Sequence, residues 1–369
     1  MSDNTRDQGE ETRVSHAGFF RDAPVDILRG IAITPMIMAN LTPVLLLPDA
    51  PGWYRFLSSL AAPLFILLAG MMIALSQTGK GRRFSYIAIR GGMVILAGAL
   101  LQIFAPRFVP FLDMDVLYLI GISLPIAYLY LCLPERKRWL IILAILGIAP
   151  ILRLTIGYNL DSVEIPTISF FGPTVISKSL PAIADIVRLW FIDGWFPIFP
   201  WLSVSLFGAE LGKYRWGQGA VKSFLPGKEG LTALVVLIAG GLLWVLSPGL
   251  SSVRMRYVEL FYPPITGFLI FCTGVALMSF TLLDRLPPAR YFLMDPLRAM
   301  GECSLAIYLL HYAIILRLIE PLHAGLPMPE YLSIYLLLLL AMIGVAYGLR
   351  YVRIAWKKQP FVVRFLIGG

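Results

Sequence analysis

The stretch 56–77, FLSSLAAPLFILLAGMMIALSQ, runs for 22 residues without a charged side chain. At 1.5 Å per residue a helix of that length extends about 33 Å, enough to cross the ~30 Å hydrocarbon layer of a bilayer. Nine further runs read the same way: 27–47, 84–104, 115–133, 138–157, 194–213, 230–247, 264–283, 302–320 and 331–352. Within lipid every backbone polar group must be satisfied inside the segment, so such runs are helices. The sequence therefore predicts an all-α integral membrane protein, a polytopic bundle of about ten transmembrane helices. Composition agrees. Apolar residues make up 58% of the 369, and charged residues only 14%, where a soluble protein carries roughly 25%. A mean hydropathy of +0.78 leaves too little polar surface to cover a water-soluble globule. The 27 prolines and 32 glycines exclude a long coiled coil.

Outward from these runs, the 31 basic and 22 acidic residues sort by side. Arg6, Arg13 and Arg21, then Lys80, Arg82 and Arg83, then Arg136, Lys137 and Arg138 fall on alternate connections, as do Lys213, Arg215, Arg285, Arg290, Lys357 and Lys358. The positive-inside rule puts those connections and both termini in the cytoplasm, as an even number of spans requires. Expected domains are a disordered cytoplasmic tail over 1–23, a transmembrane domain over 24–353 and a basic cytoplasmic tail over 354–369. The first 23 residues lack the apolar core of a signal peptide. The one long connection, 158–193, is polar and then amphipathic over 183–190, a piece suited to the membrane interface. No basic patch with interleaved aromatics exists for nucleic acid. Cys132, Cys272 and Cys303 have no disulfide or metal spacing, and with only His16, His311 and His323 no metal is expected.

The first predicted span carries Asp26, Arg29 and Asn40. Eleven steps of 100° bring Arg29 and Asn40 within ~20° of one helix face, about 16 Å apart along the axis. Polar groups facing lipid are costly, so this stripe should face the bundle or a wet cavity. The plain alternative is an Asp26–Arg29 ion pair with one interhelical amide.

Four stretches carry a family resemblance: DILRGIAITPMIMAN at 26–40, APLFILLAG at 62–70, FPIFPW at 196–201 and GECSLAIYLLH at 301–311. In this order they resemble the motifs of the heparan-α-glucosaminide N-acetyltransferase-like membrane proteins and, more distantly, the acyltransferase-3 membrane enzymes. The resemblance implies transfer of an acyl group, usually acetyl, from cytoplasmic acetyl-CoA or another acyl-CoA to a sugar or glycan acceptor across the membrane. It implies a multi-pass protein of a cell membrane, the bacterial cytoplasmic (inner) membrane being the expected one, and leaves a homodimer open. One departure stands out. Relatives carry a histidine where this chain has Asn40, or an asparagine with a histidine about a dozen residues later, and this chain has no histidine between His16 and His311. A transporter or flippase of an acyl, lipid or sugar-linked substrate, or a non-catalytic homologue, is the competing reading.

On that resemblance the candidate catalytic residues are His311 and Asn40: His311, at a depth comparable to Asn40, as general base, and Asn40 as a hydrogen-bond donor to the thioester oxygen. Ser304 shares the face of His311, and His323 is a second candidate base. Arg29, Arg90, Arg82 and Arg83 are the candidates for the phosphates of CoA, since guanidinium pairs bidentately with phosphate; lipid snorkelling is the competing use of Arg82 and Arg83. Asp115 and Trp201 are the candidate acceptor-binding residues. Asp113 and Asp115 also suit a helix N-terminus, and Trp195 and Trp201 an aromatic belt. Gly208 and Gly212 form a small-residue face for helix packing.

Overall fold

A computed structural model describes residues 21–47, 50–79, 81–104, 109–158, 182–217, 221–224, 227–247, 256–322 and 325–368. Residues 1–20 of the expected tail, Lys80, most of the 158–193 connection and His323 lie outside the described residues. The helices, in order, are α1 (Ala23–Leu45), α2 (Gly52–Ser59), α3 (Ala61–Ala74), α4 (Phe84–Phe104), α5 (Val116–Leu131), α6 (Glu135–Ile156) and α7 (Ile183–Arg188). They continue with α8 (Ile198–Trp216), α9 (Lys228–Val245), α10 (Thr266–Arg285), α11 (Asp295–Glu302), α12 (Ser304–Ile314), α13 (Met328–Ala355) and α14 (Phe361–Leu366).

Among the described residues, seven helices are long and apolar enough to cross a membrane, and up to nine if each of two bent pairs is one span. The bent pairs are Ile183–Asp193 with Ile198–Trp216, at 45°, and Pro288–Glu302 with Ser304–Ile319, at 75°. A count of ten adds α5 to these as a further span. Its apolar run is capped by Asp115 and yields 16 helical residues, about 24 Å of rise. The protein is thus an all-helical membrane bundle of seven to nine candidate spans.

Burial separates the centre from the rim. Of the apolar window of α10, 61% is buried, against 11% for α9. Leu231, Val235, Ile238, Leu242 and Val245 on α9 are exposed at helical spacing, the stripe a lipid-facing helix presents. At the centre, small residues let backbones touch. A Cβ on Gly70 would sit 1.9 Å from the Ser205 carbonyl oxygen, and one on Gly208 2.0 Å from that of Leu67. Those two contacts pack α3 against α8. At the end of the bundle where α1 starts, a Cβ on Gly30 would meet the Leu297 oxygen at 1.9 Å, and one on Gly301 the Asp26 oxygen at 1.8 Å. α1 and α11 are therefore in backbone contact, which sets Asp26 and Arg29 beside Glu302.

The entry to α1 is pinned by buried charge. Arg215 on α8 donates to Asp22 (2.9 Å) and to Asp284 on α10 (2.8 Å), and the Trp216 indole donates to Asp22 at 3.1 Å. A buried cation is tolerable only when paired and hydrogen-bonded in this way. The segment after α13 returns to the bundle: Phe365 and Ile367 are buried, and Arg21 donates to the Gly368 carbonyl.

Candidate functional site

A cavity of about 340 Å³ follows α1 through the bundle. At one end its wall is Asp22, Asp26 and Arg29, with Arg90 of α4, Glu302 and Ser304 at the α11–α12 bend, and Phe365 of α14. The wall continues past Met36 to Asn40 and ends among Asp115, Trp195, Tyr257 and Glu259. From residue 22 to residue 40 is about 27 Å of helix at 1.5 Å per residue. The polar stripe of the first span therefore faces this cavity and not lipid.

At the Arg29 end the acids are already engaged. Asp26 lies 3.5 Å from Arg29 and 3.3 Å from Arg21. Glu302 takes Arg298 at 3.2 Å, Arg350 at 3.0 Å and also Arg353. Arg90 has no carboxylate partner among the described residues; it donates to the Tyr86 hydroxyl at 3.3 Å and lies 5.5 Å from the centre of the Phe365 ring. Arg82 and Arg83 are exposed and do not border the cavity; Arg82 stacks over Tyr86 at 4.7 Å. Of the four arginines expected at a donor site, Arg29 and Arg90 are together on the wall and Arg82 and Arg83 face outward.

Midway, Asn40 Nδ2 lies 3.1 Å from His311 Nε2. The other ring nitrogen, Nδ1, is 2.9 Å from the Ile307 carbonyl. A carbonyl only accepts, so Nδ1 carries a hydrogen and the neutral ring offers its Nε2 lone pair to the Asn40 amide. The equal depth read from the sequence thus brings the pair into contact. His311 itself is fully buried and does not border the cavity, while Asn40 and Ser304 do. Tyr308 packs edge-on to the imidazole at 5.6 Å. The arrangement holds the Asn40 amide in one orientation, with its remaining N–H and its oxygen unclaimed by His311.

At the far end, Asp115 caps α5 by accepting from the Leu117 N–H at 2.9 Å, the expected use of a carboxylate at a helix start. It also borders the cavity. Asp113 accepts from the backbone N–H groups of Met114 (2.7 Å) and Trp195 (3.2 Å). Trp195, which borders the cavity, stands edge-on to Tyr257 and Tyr262. Trp201 does not border it: the ring is fully buried against Phe196 and Phe261, leaving no face for a sugar.

Glu259 is the residue the sequence reading passed over. It lies in the segment before α10, is 1% exposed and borders the cavity, and among the described residues neither carboxylate oxygen has a hydrogen-bond partner. A lone glutamate in a connection reads as solvated, so no spacing could have singled it out. Among the described residues no group of three His, Cys, Asp or Glu could hold a metal ion.

A guanidinium-lined end, a fixed amide and a carboxylate-lined end along one cavity can hold an anionic donor, a polarised carbonyl and a nucleophile in line. No curated protein matches the chain. The family model described as heparan-alpha-glucosaminide N-acetyltransferase, catalytic, matches residues 21–242. That stretch holds Arg29, Asn40, Arg90, Asp115 and Trp195 and ends before Glu259, Ser304 and His311. The match covers more than half of a chain that folds as a multi-pass helical bundle, and the protein belongs to this family of N-acetyltransferase-like membrane enzymes.

Proposed function

We propose that the protein moves an acyl group, acetyl in the first instance, from acyl-CoA to a sugar or glycan acceptor on the opposite side of the membrane. The observation that carries this reading is the cavity that passes Asn40 between the Arg29–Arg90 end and the Asp115–Trp195 end. Phosphates at Arg29 and Arg90 meet two cations, of which Arg90 is not paired to an acid among the described residues. The pantetheine arm has the length of α1 to follow toward Asn40. There the amide, held by His311, donates to the thioester oxygen as charge builds on it. A preorganised donor of this kind typically contributes 10²–10³-fold in rate. The acceptor enters beside Asp115, Trp195 and Tyr257. The basic connections after α3 and α5 support a cytoplasmic Arg29 end.

The test is release of CoA from acetyl-CoA by purified protein in proteoliposomes, with α-glucosaminides and other sugars as acceptors. Release that depends on acceptor and falls away in Arg90→Ala supports the reading. Movement of a lipid-linked sugar across the bilayer without CoA release overturns it in favour of a flippase.

A further inference from the structure

Six carboxylates border the cavity among the described residues: Asp22, Asp26, Asp113, Asp115, Glu259 and Glu302. Five have committed at least one oxygen, to arginines or to backbone N–H groups. Glu259 alone has neither oxygen bonded. A buried carboxylate without partners is expensive, and nothing in its surroundings relaxes it away. The backbone on both sides of it is stapled to α2: the Val258 carbonyl accepts from Arg55 at 2.8 Å, and the Leu260 N–H donates to Ser59 Oγ at 2.7 Å. The fold holds this acid in place against the cavity.

His311 does not compete for the acceptor's proton. Its Nε2 lone pair is turned to Asn40, its Nδ1 to a carbonyl, and the ring is off the cavity wall. Asp115 spends Oδ1 on the helix cap. We propose that Glu259 is the general base of the acceptor half-site, taking the proton from the acceptor's amino group as its nitrogen attacks the thioester. The proposal rests on the acyltransferase reading above and assigns the step that reading leaves without a base.

A neutral amine forms the new N–C bond with the thioester carbonyl carbon while one N–H proton passes to the Glu259 carboxylate. The tetrahedral intermediate collapses, the C–S bond breaks, and CoA leaves as a thiolate that takes a proton from water. Glu259 returns its proton to water at the acceptor end. Burial pushes the Glu259 carboxyl up to about 8, only partly offset by its own backbone N–H and by the Arg55 charge. A base close to the working pH accepts a proton most effectively.

The experiment compares wild type with Glu259→Gln in proteoliposomes, using acetyl-CoA with an α-glucosaminide and, separately, with hydroxylamine, an α-effect nucleophile that attacks thioesters near pH 7 without general-base assistance. CoA binding by titration calorimetry checks that the variant folds and keeps its donor site. The expected result is unchanged CoA binding, turnover with the glucosaminide lowered by about 10²–10⁴-fold, and turnover with hydroxylamine lowered far less. Near-wild-type turnover of the glucosaminide by Glu259→Gln overturns the assignment and leaves the acyltransferase reading standing. Equal losses with both nucleophiles also overturn it, since Glu259 would then act in something other than proton removal. Absence of turnover in the wild type with every acceptor overturns the acyltransferase reading and the step with it.

Discussion

Removing the His311 side chain separates two roles whose magnitudes differ by roughly tenfold or more. If the imidazole serves to hold the Asn40 amide, its worth is that of a neutral hydrogen bond. Such bonds contribute roughly 0.5–1.5 kcal/mol, so the productive amide orientation loses about 2- to 13-fold in population when the 3.1 Å contact is deleted. If His311 instead abstracts the acceptor's proton, its loss costs about 10²–10⁴-fold. The prediction is that His311→Ala lowers kcat by no more than about tenfold with KM for acetyl-CoA unchanged, while Asn40→Ala lowers it by about 10²–10³-fold. The double variant should equal Asn40→Ala alone, because a residue that acts through Asn40 has nothing left to hold. Steady-state CoA release by the four proteins in proteoliposomes gives the cycle directly. Losses that multiply would refute the argument, since they require His311 to contribute independently of Asn40, as a base would.

Three further outcomes follow from the geometry. Arg90→Ala and Arg29→Ala should each weaken CoA binding by roughly 1.5–3 kcal/mol, the range for hydrogen bonds to charged groups. Arg82→Ala and Arg83→Ala, off the cavity wall, should leave calorimetric affinity unchanged, and equal effects in all four would return the arginines to topology setting. For Glu259, a folded-state carboxyl near 8 against an ordinary 4.5 means the native protein holds its proton more tightly than the unfolded chain. Stability from this group is full below pH 4.5 and is lost as pH rises through 8, by at most about 5 kcal/mol at 1.36 kcal/mol per unit. Arg55, Tyr257 and Tyr54 share its surroundings, so the comparison is Glu259→Gln, whose thermal unfolding in detergent should fall less than wild type between pH 5 and 9; parallel curves would sink it. Gly208→Ala, with no room against the Leu67 carbonyl, should destabilise by about 1–3 kcal/mol. Gly147→Ala, with nothing within 4 Å, should stabilise by roughly 0.5–1 kcal/mol, and a reversal of those signs would refute the α3–α8 contact.

What the sequence could reveal tracked what is periodic. Rise and angle per residue are enough to put Arg29 and Asn40 on one face and to give His311 the depth of Asn40, and the cavity wall and the 3.1 Å contact follow. Asp115 at the head of an apolar run reads as a cap because that use is local. The same rules could not say that His311 faces away from the cavity, since ring orientation is decided by the Ile307 carbonyl and by the partner on α1. Nor could they show Trp201 sealed behind Phe196 and Phe261, or Glu259 buried in a connection, because both depend on packing between segments far apart in sequence. The bend at Cys303 was likewise silent: 302–320 reads as one apolar run, and the 75° break falls where Cys303 ends α11.

The glycine contacts between α1 and α11 constrain how the protein can move. With Gly30 against Leu297 and Gly301 against Asp26, the two backbones touch at two points, and neither helix can slide or tilt on the other without opening a gap at both. Arg29 and Glu302 therefore travel as parts of one rigid floor. α12 leaves that floor at a 75° bend after Glu302, and a side-chain hydrogen bond from α1 to α12 joins Asn40 to His311. Any opening of the passage by swinging α12 outward must break that bond and release the amide. On the acyltransferase reading proposed above, admission of a large substrate past Asn40 and polarisation of a thioester by Asn40 would be mutually exclusive in time, and the passage would work as a lock with its latch at Asn40.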